Sequence, residues 1–528
     1  MHKHLIKVNS SDNVAVALLD LTTGQKISFE EQEITVESFT KAKHKIALSS
    51  FEVGDKIIMY GVLVGKASQP IKRGGLLTTE NVKHESSKVF GKTETIHWTA
   101  PNVDKWKDRT FQGYHREDGQ VGTENVWLFF PLVFCENRNI EILKDIFEKE
   151  LLKQKESSYQ LLLRSLVNNG AENTVEEGTS RNVFDNIDVK FITHPGGCGA
   201  IRQDSESLAK LLAGYVNNPN VAGATVLSLG CQDALQAINP ELNKPVLIFE
   251  QQQMGTVEEM LTAIVKQSFE AIKHANTTKR KPAPLSKLKV GLECGGSDGF
   301  SGISANPTLG AVSDILAALQ GTAILSEFPE LCGVEQELVN RCVDEEKGKK
   351  FLELMKNYEK SVVDAGSGFD MNPSPGNIKD GLITDAMKSA GAAKKGGTSP
   401  VVDVLDYGEY ITKPGLNLLC TPGNDVESTT AMVGSGANVV LFTTGLGTPT
   451  GNPIAPIIKV ASNTFLAEKM PDIIDIETGA VIRGEKSIDE MADEMLEFII
   501  QVASGEIQTK AKLLNQNDFI PWRRGVSL

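Results

Sequence analysis

The stretch LKVGLECGGSDGFSGISANPTLG (288–310) reads as a strand, a polar loop and the start of a helix. Its apolar opening suits a short buried strand. Glycines in the loop let backbone approach a ligand closely, and Ser297 and Asp298 supply hydrogen-bonding groups. An apolar strand delivering such a loop is how open α/β sheets build sites for small polar ligands. The stretch NVVLFTTGLGTPTGNP (438–453) repeats the arrangement.

The same texture extends outward from these two runs. From residue 109 the chain alternates strand, loop and helix. VWLFFPLVF (126–134), VKFIT (189–193), ATVLSLG (224–230), PVLIFE (245–250), TAILSE (322–327) and LNLLC (416–420) are strand candidates. Residues 258–275 carry amphipathic helical spacing. This alternation predicts an α/β protein with mostly parallel sheets covered by helices. Residues 1–86 instead hold short alternating or β-branched stretches and read as a small β domain, with one helical turn expected over 37–42. Residues 87–108 are polar and aperiodic, as in a linker. The charges and prolines of NTTKRKPAPLSK (276–287) mark a second boundary, dividing the remainder into α/β portions over 109–280 and 281–528.

The formal net charge of −14 argues against a non-specific nucleic-acid binder, which needs clustered Lys and Arg. No apolar run is long enough for a transmembrane helix, and the first residues lack a signal-peptide core. The seven cysteines are scattered and never form a C-x-x-C pair. That pattern fits reduced thiols in a cytoplasmic protein.

The chemistry-bearing residues concentrate where strands end. His194 and Cys198 follow one strand, and Cys231 and Gln232 another. Glu293, Cys294, Ser297 and Asp298 follow a third, Glu327 a fourth, Asn424 and Asp425 a fifth, and Thr443 and Thr444 a sixth. Carboxyl ends of parallel strands are where open sheets gather their sites, so these loops are expected to form one crevice. Bland readings stand beside each. His194 among glycines can cap a turn, and a cysteine is often core. A carboxylate ending an apolar strand needs a partner, which favours a role for Glu293 and Glu327. NPSPGNIKDG (372–381) places Asn372, Asn377 and Lys379 on a rigid loop that either binds hydroxyls and carboxylate or is only a turn. No nucleotide signature of the G-x-x-x-x-G-K-[ST] kind and no H-E-x-x-H metal motif occurs. Mixed His, Cys, Glu and Asp donors suit a divalent iron, manganese or zinc ion.

Several long motifs, in order along almost the whole chain, resemble the altronate and galactarate dehydratases. They are HKIAL (44–48), MYGVLVGKA (59–67), FQGYHREDGQVGTEN (111–125), HPGGCG (194–199), GLECGGSDGFSGISANPTLG (291–310), NPSPGN (372–377), TPGNDVEST (421–429) and FTTGLGTPTGN (442–452). TPGNDVEST, IIKVASNT (457–464) and NDFIPWRRGVSL (517–528) place the resemblance nearer the altronate branch. It implies a SAF-type β domain over 1–86, and a small-molecule sugar acid as substrate. The implied reaction is loss of water from D-altronate to give 2-keto-3-deoxy-D-gluconate, with Fe2+ or Mn2+ as cofactor. Galactarate, another aldonate or aldarate, sulfite elimination from a sulfonated acid, and an inactive sugar-acid binding protein are the alternatives. A homodimer is expected. The catalytic candidates are Glu293, His194, Asp298, Glu327 and Lys379. The substrate-binding candidates are Ser297, Gly295, Gly296, Asn372, Asn377, Thr443, Thr444 and Arg116. The metal-ligand candidates are His194, Cys198, Cys294 and Glu327. Relatives often carry arginine where this chain has Glu124 and Leu446; an arginine at either place would clamp a carboxylate.

Overall fold

The computed structural model describes residues 4–151, 158–167, 183–229, 244–369 and 372–528. Its largest sheet has seven parallel strands in the spatial order Val401–Leu405, Gly415–Leu419, Thr322–Leu325, Lys289–Cys294, Val439–Thr444, Ile457–Ala461 and Ile476–Glu477. The strands feeding the two Gly-rich runs lie side by side at its centre, with Glu293 opposite Phe442. Helix Ala305–Ala318 packs on one face, backed by helix Ile488–Ala503, and helix Asp425–Gly434 packs on the other. Coverage on both faces is why these strands read as continuous apolar runs rather than alternating ones.

A second parallel sheet, in the order Asp188–Phe191, Val126–Pro131, Val221–Ser228 and Val246–Glu250, lies earlier in the chain. The two sheets share one apolar core in which Leu128, Phe130 and Val226 meet Met432, Val440 and Phe442. Helices Arg202–Asn217 and Asp425–Gly434 cross there. Gly214 makes the crossing close, because a Cβ at that position would collide with the Gly434 carbonyl. Two buried amides hook the halves together. Asn218 donates to the carbonyls of Val433 and Ala437, both at 2.8 Å. Asn220 donates to those of Asn438 and Ile454 at 3.0 and 2.9 Å.

Residues 5–83 form only short antiparallel ladders, as expected of a small β unit. The helical turn expected over 37–42 does not form; Thr40 instead bridges to Leu21. Residues 87–108 hold no regular element, yet Phe90, Lys92 and Trp98 donate hydrogen bonds to Gln336, to the carbonyls of Asn340 and Cys342, and to Thr398. Lys281–Pro284, inside the expected second boundary, is a strand antiparallel to Thr110–His115. Its two prolines are tolerated because it is an edge strand. The tail, residues 517–528, crosses both α/β portions. Amides of Ile520, Trp522 and Arg524 donate to Thr430, Tyr407 and Asp204, and Leu528 donates to the Gly199 carbonyl. Among the described residues no helix is long and apolar enough to cross a membrane.

Gly214→Ala should cost about 1–3 kcal/mol by overpacking the helix crossing. Thermal unfolding followed by fluorescence checks this, and an unchanged melting temperature would contradict so close a contact.

Candidate active site

The tips of three adjacent strands converge on one buried cluster. Alternation along Lys289–Cys294 sends Glu293 and Cys294 to opposite faces. Glu293 meets helix Asp425–Gly434, where Ser428 donates to its Oε2 at 2.6 Å. Cys294 meets Lys395, whose Nζ lies 2.8 Å from Sγ. Glu327, just past Thr322–Leu325, reaches this cluster from a left-handed backbone conformation, φ 64°. A non-glycine residue held there stores roughly 1–3 kcal/mol of strain and points to a functional constraint. Thr421, at the tip of the next strand, fixes this turn by accepting the Glu327 amide at 2.8 Å.

Lys395 Nζ also donates to Glu327 Oε2 at 2.7 Å. Three residues on, Glu330 accepts from the Cys294 thiol at 3.2 Å and from Lys388 at 2.5 Å. Lys388 donates in addition to Asn372 at 2.6 Å, and Asn372 donates to Glu330 at 3.3 Å. Asp425 begins its helix behind the Asn424 cap, and its carboxylate sits where a Cβ on Gly295 would be. Glycine at 295 is therefore what admits that carboxylate to the strand end.

Four carboxyls, Glu293, Glu327, Glu330 and Asp425, thus share two ammonium groups, Lys395 and Lys388. The imbalance shows in their protonation. Burial and neighbouring Glu327 push Glu293 well above the usual carboxylate range. Burial and Glu330 raise Glu327 although Lys395 opposes them. Burial would raise Glu330 too, but Lys388 and Lys395 outweigh it and hold that carboxylate down. Burial, with Glu327 and Glu330, raises Asp425 to about 7. Burial alone would lower Lys395; Cys294 and the carboxyls more than compensate and keep it an ammonium.

Among the described residues, two acid clusters come close enough to share a cation. In Cys294, Glu327 and Glu330 the thiol and carboxylate oxygens are already contacted by Lys395 and Lys388. In Glu293, Glu327 and Asp425, one oxygen of each lies within 4.8 Å of the others. Glu293 Oε1 and Glu327 Oε1 are buried with no hydrogen-bond donor from the other described residues, and the two carboxyls bond to each other when Glu293 holds its proton. Orphaned carboxylate oxygens and a shortfall of two positive charges fit a hard divalent ion, such as Fe2+ or Mn2+.

The sequence-derived candidates divide sharply. Glu293, Cys294 and Glu327 come together, with Gly295 beside them and Asn372 at the rim. Asp298 is buried but saturated. Its Oδ1 accepts from the amides of Phe300 and Ser301 and the hydroxyls of Ser301 and Ser462. Its Oδ2 accepts from Asn463 and, at 2.9 Å, from Lys43 of the N-terminal β unit. A carboxylate so occupied has no oxygen left for a metal or a substrate proton, so Asp298 is a structural hub. His194 is likewise committed: Nε2 donates to the Pro131 carbonyl at 2.8 Å and Nδ1 accepts the Gly196 amide at 3.1 Å. It lies with exposed Cys198 in the loop of the other sheet, against the tail. Of the expected set, His194 and Cys198 stand at the end of one sheet and Cys294 and Glu327 at the tips of the other, and among the described residues no metal-ligating group combines the two pairs. Cys231 and Gln232 lie outside the described residues.

The remaining binding candidates serve the framework. Arg116 is half-buried and donates to the carbonyls of Pro219 and Glu124 and to Asn125. Thr443 donates to Asn306 at 2.8 Å, and Thr444 accepts the Gly447 amide. Asn377 closes a capping box with Ser374 and donates to the Ser297 carbonyl at 2.7 Å. Ser297 is buried beside the cluster, Gly296 turns with positive φ, and Lys379 is exposed at the end of the short helix Pro375–Lys379.

Sequence reasoning missed Lys395, Lys388 and Glu330 and left Asp425 without a role. The available signal for Glu330 was a second acid three residues after Glu327 in FPELCG; for Lys395 it was a lysine pair against Gly396 and Gly397 closing an otherwise small-residue helix. Neither names its partner across the fold.

The charge imbalance has a pH signature. Asp425 ionises near 3.8 when unfolded and near 7 when folded, so the native state holds the extra proton between those values. Stability from this group is complete below about pH 4 and is lost as pH rises through 7; Glu293 acts in the same direction. Chelator-treated protein should melt at lower temperature at pH 8 than at pH 5, and Asp425→Asn should flatten that slope. A melting temperature that climbs with pH in both proteins would contradict the assignment.

Three family models cover the chain in order. Residues 3–85 match the altronate/galactarate dehydratase SAF domain. Residues 113–276 match the second domain of D-galactarate dehydratase/altronate hydrolase, and residues 285–527 the C-terminal domain of D-galactarate/altronate dehydratase. The chain is 36% identical to the altronate dehydratase of Bacillus subtilis (strain 168), over 98% of this chain and 97% of that one. It is 34% identical to the altronate dehydratase of Escherichia coli (strain K12), over 97% of each. It is 32% identical to the galactarate dehydratase (L-threo-forming) of the same organism, over 96% of this chain and 93% of that one. With relatives aligned from end to end and a buried acid–lysine cluster at the sheet tips, the chain belongs to the altronate/galactarate dehydratase family and is a hydro-lyase.

Proposed function

We propose that this enzyme removes water from D-altronate to give 2-keto-3-deoxy-D-gluconate, in a reaction dependent on Fe2+ or Mn2+. The greater identity to the two altronate dehydratases supports that substrate; galactarate is the second reading, supported by the third relative. The observation that carries the chemistry is the pair of facing carboxyls, Glu293 and Glu327, whose Oε1 atoms take no hydrogen bond from any other described residue, beside the Lys395 ammonium.

Elimination of water beside a carboxylate needs a base for the weakly acidic C2 proton, positive charge near the developing enediolate, and an acid for the departing C3 hydroxyl. Lys395 is assigned as the acid. Its ammonium is held by Glu327 and Cys294, and the excess of carboxyls around it restores its proton after each turnover. The base is the free oxygen of either Glu293 or Glu327, and the other carboxylate, with Asp425, would hold the cation. When bound, that ion supplies Lewis-acid stabilisation to the developing enediolate. Ser428 orients Glu293 and Thr421 orients Glu327, so each carboxyl presents one oxygen inward. Burial excludes water and strengthens each of these interactions.

Anaerobic assays with ferrous or manganous ion against a panel of aldonates and aldarates test the reading. D-Altronate should yield a 2-keto-3-deoxy acid, and Lys395→Met should lower kcat by roughly 100- to 10,000-fold. Of Glu293→Gln and Glu327→Gln, excess metal should partly rescue the variant that lost a ligand and leave the variant that lost the base inactive. If no acid in the panel yields a 2-keto-3-deoxy product, the proposal fails.

A further inference from the structure

Across three adjacent strands, Glu293, Phe442 and Lys459 stand in register on one face of the sheet. Lys459 is wholly buried, and its Nζ leans over the ring of the intervening strand, 3.5 Å from the Phe442 centroid. Its one hydrogen bond goes to the hydroxyl of Thr450, in the second Gly-rich run, at 2.8 Å. An ammonium has three protons to donate, and among the described residues no carboxylate oxygen lies within ion-pair distance of this one.

Three other lysines of the region hold an anion, and a fourth holds only a carbonyl. Lys395, Lys388 and Lys43 each hold a carboxylate at 2.5–2.9 Å. Lys45, at 2.5 Å, holds the Gly381 carbonyl. The acids that attract Lys459 from farther off are Asp425, Glu293, Asp475 and Asp518. Three of them have other partners. Glu293 accepts from Ser428, Asp475 from the amides of Lys459 and Lys510, and Asp518 from the Gly451 amide. Burial, only partly opposed by Asp425, drops the Lys459 amine to about 7. A buried cation without an anion is costly, and an aromatic face beneath it is a weak substitute for one.

We infer that Lys459 is the specificity-determining cation of the site, and that its missing anion is the carboxylate of the sugar-acid substrate, entering beside Thr450. Phe442 then forms the floor between the anchored carboxylate and the Glu293 end of the cluster, where the neighbouring carbons react. The inference rests on the dehydratase reading, and the test separates the two. Wild-type turnover on the acid panel establishes the reading; its failure removes that reading and leaves Lys459 without a substrate.

The decisive measurement compares each acid with its matching alditol, which keeps the hydroxyls and lacks the carboxylate. Wild type should bind the acid far more tightly than the alditol. Lys459→Met should raise KM for the acid roughly 10- to 100-fold, the loss of one charge-assisted contact, and leave alditol inhibition unchanged, so the preference collapses. A folded Lys459→Met protein that keeps the wild-type preference would overturn the inference. Should Lys459→Met fail to fold, Lys459→Arg decides: it retains a cation and should keep the preference, and its loss there counts against the anchor.

Discussion

Four carboxyls buried behind the tips of one parallel sheet, against two ammonium groups, form the interaction around which the rest of this structure is arranged. Uncompensated, such a group of acids would not stay buried. Each surrounding element supplies part of the compensation. Helix Asp385–Ala393 delivers Lys388 from its first turns, and the short turn Lys394–Gly396 after it delivers Lys395. The left-handed turn at Glu327 lets one residue face both sides of the sheet tip, and glycine at 295 leaves room for Asp425. The compensation is incomplete by design of the site, since a fully neutralised cluster would have no oxygen free for a proton or a metal ion.

Fold class was legible because period and burial agree. Runs such as NVVLFTT and LNLLC have no polar face, and a strand buried on both sides needs none. The site was legible only where a residue's oddity is local. Glu293 and Glu327 stand out because an acid at the end of an apolar strand must find a partner. The partners themselves were hidden: Lys395 lies 68 positions from Glu327 and Lys388 lies 58 from Glu330, and nothing nearby in sequence names the acid that either lysine meets. His194 and Asp298 misled for the opposite reason. Both sit in conspicuous glycine-rich loops, but tight loops consume hydrogen-bonding side chains to hold their own backbone.

The joints between portions are polar where apolar packing alone would leave them free to slide. Asn218 and Asn220 bond to backbone carbonyls across the helix crossing, which fixes the relative position of the two sheets to within a hydrogen bond's tolerance. Lys43 does the same for the N-terminal β unit, reaching Asp298 and Asp380 on opposite sides of the Gly-rich loop. Asp298 thereby carries the position of a distant unit into the loop that follows Glu293.

The tail that crosses both α/β portions leaves the ribosome after everything it joins. Residues 194–204 and 406–430, which it bonds, are therefore made and folded before their common clasp exists. Before the tail is made, the two sheets can meet through their shared apolar core, the glycine crossing and the asparagine hooks. Residues 517–528 then tie loops of both portions with one segment, whose removal would take away that tie and leave the contacts of the acid cluster in place.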